Sequence, residues 1–592
     1  MRVRRLAAVS ALALGLFGLF LVAAAPPADD GEKAKDEGRP HVLELTVEGD
    51  VPEQRRTDMP FGPRQHLLRD YTATLRKAAE DPEIEAVILR LRHPQVGFAK
   101  VQELADAIRE VKEQGKKVYC YVGACGNLDY ALACAADRVV APPGGSILLT
   151  GLAGQAIFVK GLLDWAGVEA ELLTTGPHKD LGTLTRESLS EENRAALNEL
   201  LDEVYGQFVQ RIAEGRGMEP QQVRETIDRG PFTAEAAKAA GLIDQVAYYD
   251  QCVKALGEEL GGKPKLVRDY HRMGESGPDL SQLNIFNLFA ALKPQPDIPR
   301  SDRPKVVVIY ASGMIAPGRS LLASQVVTAK QMARAFEKAR EEETVKAVVL
   351  RVDSPGGSAL VSDLIWREVG RTRKAGKPVV ASLSDVAGSG GYYIAMGADA
   401  IVAQPGSITG SIGVIGGKLV LRGLYEKVGV KKEILTRGKN AALFSDYTNF
   451  SDDERERLRA LIDDIYEEFV RKAAEGRGMP VDQMRRLATG RVWTARRAKE
   501  LGLVDELGGL KEAYELAIRK AGIEGQDVQP VILPREKSIL EVLFGARAQA
   551  PSGLSRRGLP DVAAGALPHL AVFDALAREN VLALMPYFIE IR

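Results

Sequence analysis

Histidine is scarce in this sequence. There are six in 592 residues, and none falls between residues 272 and 568. A nucleophile in that stretch must therefore find its base elsewhere or use another side chain. Cysteine is scarcer still. Cys120, Cys125, Cys134 and Cys252 all lie in the first half and form no CxxC pair, which argues against a zinc site or a disulfide framework. No metal and no cofactor is expected. The formal net charge of −1 gives no electrostatic footprint for nucleic acid. Phosphate-binding loops are missing too: GVIGGKL (413–419) lacks both the P-loop spacing and the hydroxyl after the lysine, and AGSGGY (387–392) is not GxGxxG. Nor is there an α/β-hydrolase elbow, because residue 387 is Ala where G-x-S-x-G needs Gly.

Only one stretch is apolar and long enough to span a bilayer. Three arginines lie within Met1–Arg5, and Leu6–Ala25 then runs for twenty residues without a charge. This pattern predicts an N-terminal membrane segment with the bulk of the chain on the extracytoplasmic (periplasmic) side of the inner membrane. The Ala23–Ala25 end also fits a leader cleavage site. Residues 26–42 read as a polar linker.

Beyond the linker, apolar runs alternate with amphipathic stretches. The pattern predicts strands at His41–Val47, Ala86–Leu91 and Val118–Val122, with helices at Leu67–Ala79 and Val101–Gln114. That order implies βα units around a largely parallel sheet. It then returns. EAVILRLRHPQV (85–96) matches KAVVLRVDSPGG (346–357), GKKVY (115–119) matches GKPVV (376–380), AADRVVAPP (135–143) matches GADAIVAQP (397–405), and EGRGM occurs at 214–218 and 475–479. The spacing is 261 or 262 residues throughout. The chain is a tandem duplication, with a first half at 43–300, a second at 301–533 and a tail at 534–592. Apolar patches at Ile285–Leu292 and Ile539–Phe544 are candidate assembly or membrane-surface contacts, or packed helices.

The differences between the copies carry the chemistry. In the second, PVVASLSDVAGSGGYY (378–393) reads as a strand over Pro378–Leu383, a small-residue turn, and a helix opening near Ser389. Glycines on both sides leave Ser389 accessible, and a helix N-terminus favours developing negative charge. The plainer alternative is a helix cap. The first copy has Asn127 or Leu128 opposite, and no Ser or Thr in 119–129. Conversely, Lys179 in GPHKD (176–180) falls opposite Asn440 or Ala441, with Lys439 close by. A serine hydroxyl needs a base within hydrogen-bond reach. A lysine serves if burial lowers its pKa. Lys179, Lys439 and His178 are the candidates. Gly356, in the SPGG turn (354–357), and the amide of Gly390 could meet an oxyanion, and Ser411 in ITGSIG (408–413) could hold the lysine.

DSPGGS (353–358), AGSGGYY (387–393), ITGSIG (408–413) and GPHKD (176–180), with the N-terminal apolar segment, resemble the signal peptide peptidase A (protease IV) family in its long, duplicated form. The resemblance covers nearly the whole chain. It implies an α/β fold with a Clp-protease/crotonase-like domain in each half, and a membrane-anchored, bowl-shaped homotetramer. It implies Ser389 as nucleophile, Lys179 as general base, Gly356 and Gly390 in the oxyanion hole, and Ser411 orienting the lysine. The implied substrates are residual signal peptides and other hydrophobic peptides. Two alternatives are a non-catalytic scaffold of the same fold and an acyl-CoA-processing crotonase relative. An export signal speaks against the latter.

Overall fold

The computed structural model describes residues 38–55, 65–268, 270, 296–318, 325–535, 575–576, 579–585 and 590–591. The N-terminal apolar segment and the patches at 285–292 and 539–544 lie outside them. Among the described residues, no helix is long and apolar enough to cross a membrane.

The first half begins β1 (His41–Asp50), α1 (Leu68–Glu80), β2 (Ile84–Gln95), α2 (Phe98–Glu113), β3 (Lys117–Val122) and β4 (Arg138–Ala141). Strands β4-β3-β2-β1 pair in that order, all parallel, with short edge strands at Gln245–Val246 and Lys265–Val267. Each expected element is present, with ends shifted by a few residues. Helix α2 starts at Phe98 rather than Val101 because the Lys100 amide donates to Asp385 Oδ1 in the other half, at 3.1 Å. A carboxylate at a helix N-terminus meets otherwise unpartnered amides. Two later elements matter below: β5 (Glu169–Thr174) and α3 (Glu191–Arg216).

The second half repeats the plan with β6 (Lys305–Ser312), β7 (Val345–Ser354), β8 (Gly356–Ser358), β9 (Val379–Gly388), α4 (Gly390–Ala395), β10 (Ile408–Gly410), β11 (Ile415–Val420) and α5 (Asp452–Arg477). Its central sheet has eight strands, with β10-β9-β7-β6 in the middle. Every residue of β6 is buried, as an unbroken apolar run in a parallel sheet covered on both faces requires. The long helices α3 and α5 are capped alike: Ser190 and Ser451 accept at their N-termini, and Gly217 and Gly478 close them in the left-handed conformation. These glycines belong to the two EGRGM copies. The arginine of each forks onto an aspartate, Arg216 onto Asp244 and Arg477 onto Asp505.

A third sheet breaks the symmetry. It draws β5 from the first half, β8 and β11 from the second, and β12 (Val581–Leu584) from the tail, in the order β8-β12-β11-β5. The antiparallel β11–β5 pairing runs from Ile415 opposite Thr174 to Val420 opposite Glu169. Ion pairs buried between the halves reinforce the join. Arg351 meets Glu53 and Glu103, each at 2.8 Å, and Lys100 meets Asp353 at 3.0 Å and Asp385 at 3.4 Å.

Candidate active site

Strand β9 runs five residues past the expected end, to Gly388, because Val386–Gly388 pair with β10. Ser389 follows as the N-cap of α4, but its side chain makes no capping bond. Its backbone sits at φ 54, a region uncommon for a residue with a side chain. Two hydrogen bonds hold it there: Ser389 N donates to Gly410 O at 2.8 Å, and Tyr393 N donates to Ser389 O at 2.8 Å. In the first half the corresponding N-cap is Gly126, one residue before Asn127, so the hydroxyl is missing by structure as well as by alignment.

Lys179 reaches this serine from the loop after β5. Thr175 fixes the loop's start by trading hydrogen bonds with Val414, and His178 N fixes its middle by donating to Thr489 O at 3.0 Å. Gly490 lets the loop in: a Cβ built there would lie 2.5 Å from Lys179 N. Lys179 Nζ then stands 2.7 Å from Ser389 Oγ, 2.5 Å from Ser411 O and 2.9 Å from Ser411 Oγ. Ser411, like Ser389, has a positive φ, 51°, and its amide donates to Arg491 O at 2.7 Å.

Lys179, Ser389 and Ser411 are all fully buried. Burial pushes the Lys179 ammonium well below its ordinary pKa, with no carboxylate to oppose it. Lys100 shows the contrast. Burial acts to depress it as well, but Asp353 and Asp385 outweigh that and hold it above the ordinary value. The Lys179 amine donates to Ser389 Oγ, Ser411 O and Ser411 Oγ, so serine hydroxyl and lysine nitrogen are in direct contact. Lys439 is exposed, and His178 pairs with Thr489 Oγ1 at 3.1 Å.

Two expectations need correction. Ser389 is not accessible. Its glycine neighbours do leave space, but Met585 from the tail fills it: a Cβ on Gly388 would lie 2.2 Å from Met585 Sδ. Nor is SPGG (354–357) a simple reverse turn. Only Pro355 separates β7 from β8, and Gly356 continues in extended pairing with φ 98. A Cβ on Gly356 would fall 2.7 Å from Gly390 N, so the two glycines line one small space. The Gly356 amide donates to Ser354 Oγ at 3.1 Å.

Sequence reasoning missed Lys100 and the tail strand. Lys100 binds an aspartate ahead of each glycine-bearing turn, Asp353 before Gly356 and Asp385 before Ser389. Nothing local marks it. The tail strand did leave a trace, the short apolar run VLALM (581–585) closed by Pro586.

Comparison with known proteins gives a consistent result. The sequence profile of Peptidase family S49 matches residues 110–262 and again 371–524, at the spacing of the internal repeat. "Serine protease SPPA, chloroplastic" of Arabidopsis thaliana is 35% identical over 528 residues, covering 88% of this chain and 75% of its own. "Protease 4" of Haemophilus influenzae is 28% identical over 471 residues, covering 77% and 73%. Among solved structures, a variant of "1510-N membrane-bound stomatin-specific protease" aligns with 40% of this chain and 99% of its own, at 17% identity and a TM-score of 0.26.

Proposed function

The chain belongs to Peptidase family S49, and from that membership we propose how this serine peptidase cuts: Ser389 attacks and Lys179 takes its proton. The observation that carries the reading is a buried lysine with no acidic partner, 2.7 Å from a serine 210 residues away. As Ser389 Oγ adds to a peptide carbonyl, its proton passes to Lys179 Nζ. The ammonium so formed, still held by Ser411, gives a proton to the departing amine. Water then adds to the acyl carbonyl as Lys179 takes one of its protons; the ester bond to Ser389 Oγ breaks, Lys179 returns the proton to that oxygen, and the new carboxyl end of the peptide leaves. The Gly390 amide, at the N-terminus of α4, and the Gly356 amide, once it leaves Ser354 Oγ, stabilise the oxyanion.

In this reading the half at 43–300 supplies the base and the half at 301–533 the nucleophile. Residues 6–25 anchor the chain in the inner membrane with the peptidase on the extracytoplasmic side. The substrates are residual signal peptides and other hydrophobic peptides, and the working form is a homotetramer.

The test compares residues 26–592 with Ser389→Ala, Lys179→Ala and Lys439→Ala on short apolar fluorogenic peptides. The first two are expected to lose activity by roughly 10⁴-fold or more while staying folded, and the third to keep it. Loss in Lys439→Ala with activity kept in Lys179→Ala overturns the assignment.

A further inference from the structure

The slot beside Ser389 is already full. Strand β12 lies between β8 and β11 and is antiparallel to both. Gly356 pairs with Leu584, Gly357 with Ala583, Ser358 with Leu582, and Ile415 with Leu582. Beyond the strand, Met585 N donates to Pro355 O at 2.9 Å, and Gly417 N donates to Asn580 O at 3.0 Å. Lift this strand out and two backbone edges face each other across one strand's width, with the nucleophile at one end.

That is the geometry a peptidase needs for its substrate. An extended peptide adds as a strand to an exposed edge; main-chain hydrogen bonds give the affinity and alternate side chains fill pockets. The tail meets each requirement. Leu582 and Leu584 point together into an apolar cluster with Met314, Ile415, Leu181 and Leu184. The last two follow Lys179 closely, Leu184 in the short helix Gly182–Thr185. The carbonyl of Ala583 enters the space lined by the two glycines: it would lie 2.2 Å from a Cβ on Gly356 and 2.9 Å from one on Gly390. Met585 covers Gly388, the residue before the nucleophile. Ser389 beside them is fully buried.

We propose that residues 581–585 are a tethered competitor, an internal occupant of the peptide groove that a substrate must displace. The inference rests on the peptidase reading and adds its regulation. Tethering gives the strand an effective concentration of roughly millimolar order, so a weak intrinsic affinity is enough to hold it. Whatever draws the tail away, a membrane surface or another apolar strand, raises activity without touching the catalytic groups.

The experiment compares the full chain with a chain ending at residue 579 and with Leu582→Asp/Leu584→Asp, on fluorogenic apolar peptides. Expected is a fall in KM of tenfold or more in both variants at unchanged kcat. The synthetic peptide ENVLALMP (579–586) is expected to inhibit the shortened chain competitively. Unchanged KM with no inhibition by the peptide overturns the proposal. So does lost activity in variants that remain folded by circular dichroism, because the strand is then a wall of the site. If both variants unfold, hydrogen exchange on the intact chain decides. Amides of 582–585 are expected to be slow in the free enzyme and fast once a peptidyl boronate occupies Ser389; slow exchange in both overturns the proposal. Loss of residues 584–592 from the active chain but not from Ser389→Ala, by intact mass, also overturns it, since the strand is then a substrate. Failure of a fluorophosphonate to label Ser389 even in the shortened chain would instead count against the peptidase reading.

Discussion

Replacing Lys179 by Met is expected to abolish activity and stabilise the fold, with a pH signature that identifies the cause. Lys179 is fully buried, and burial lowers its pKa. In the unfolded chain the amine titrates near its free value of about 10.4. The unfolded state therefore binds this proton more readily than the folded state. Stability then rises with pH by about 1.4 kcal/mol per unit, from the depressed folded pKa up to about 10.4. Below the folded pKa both states are protonated and the penalty stays at its maximum. Methionine has a similar length and no proton to lose. In a Ser389→Ala background its own cost is the lost hydrogen bonding at Ser411, about 1–3 kcal/mol for a hydroxyl left without a partner. That cost does not change over this pH range. Plotting the stability difference against pH separates the two effects. The assay is urea unfolding of both proteins from pH 6 to 10, each carrying Ser389→Ala to prevent self-digestion. The advantage of Met should be largest at the acid end and shrink with the stated slope. A difference that stays constant across the range would falsify the claim that burial depresses the Lys179 pKa, and with it the case for a base.

Three further expectations follow from the same geometry. The pH–rate profile should rise and reach its plateau well below pH 10, and Ser411→Ala should lower kcat by about 10²-fold because the amine loses one of its two anchors; an unshifted, fully active variant removes Ser411 from the site. Lys100→Met should cost about 1–3 kcal/mol by leaving the partly buried Asp353 and Asp385 without their cation. Burial already holds the Asp385 carboxyl above its ordinary pKa, so that cost should shrink as the pH is lowered toward 5; thermal melts at pH 5 and 8 test it, and an equal loss at both contradicts the ion-pair account. Gly356→Ala should reduce kcat by roughly 10²–10³-fold, since its methyl would intrude 2.7 Å from Gly390 N at a φ of 98°, and wild-type turnover in that variant would move the oxyanion site elsewhere.

Much of this arrangement was legible in the sequence. Buried parallel strands are unbroken apolar runs, so β6, β7 and β9 announce themselves. The duplication shows as a constant offset, and comparing the copies isolates Ser389 and Lys179 as the residues each half lacks in the other. The distance between them was not legible. It depends on β5 pairing with β11 across the repeat boundary, and no local pattern encodes a pairing between residues 169–174 and 415–420. The accessibility of Ser389 was misjudged for a related reason. Glycine neighbours describe the space a chain leaves locally, whereas the side chain that fills it, Met585, comes from the far end of the sequence. The early start of α2 has the same origin, a cap donated by Asp385 from the other half.

The sheet shared by both halves and the tail also sets a clock on activation during synthesis. Lys179 leaves the ribosome 210 residues ahead of Ser389, a delay of about 10–40 s at ordinary elongation rates. In that interval the nascent chain carries a folded half with a proton acceptor and nothing to activate. The strand that covers Ser389, Val581–Leu584, follows it by another 192 residues, a comparable delay, so the serine is made well before its cover.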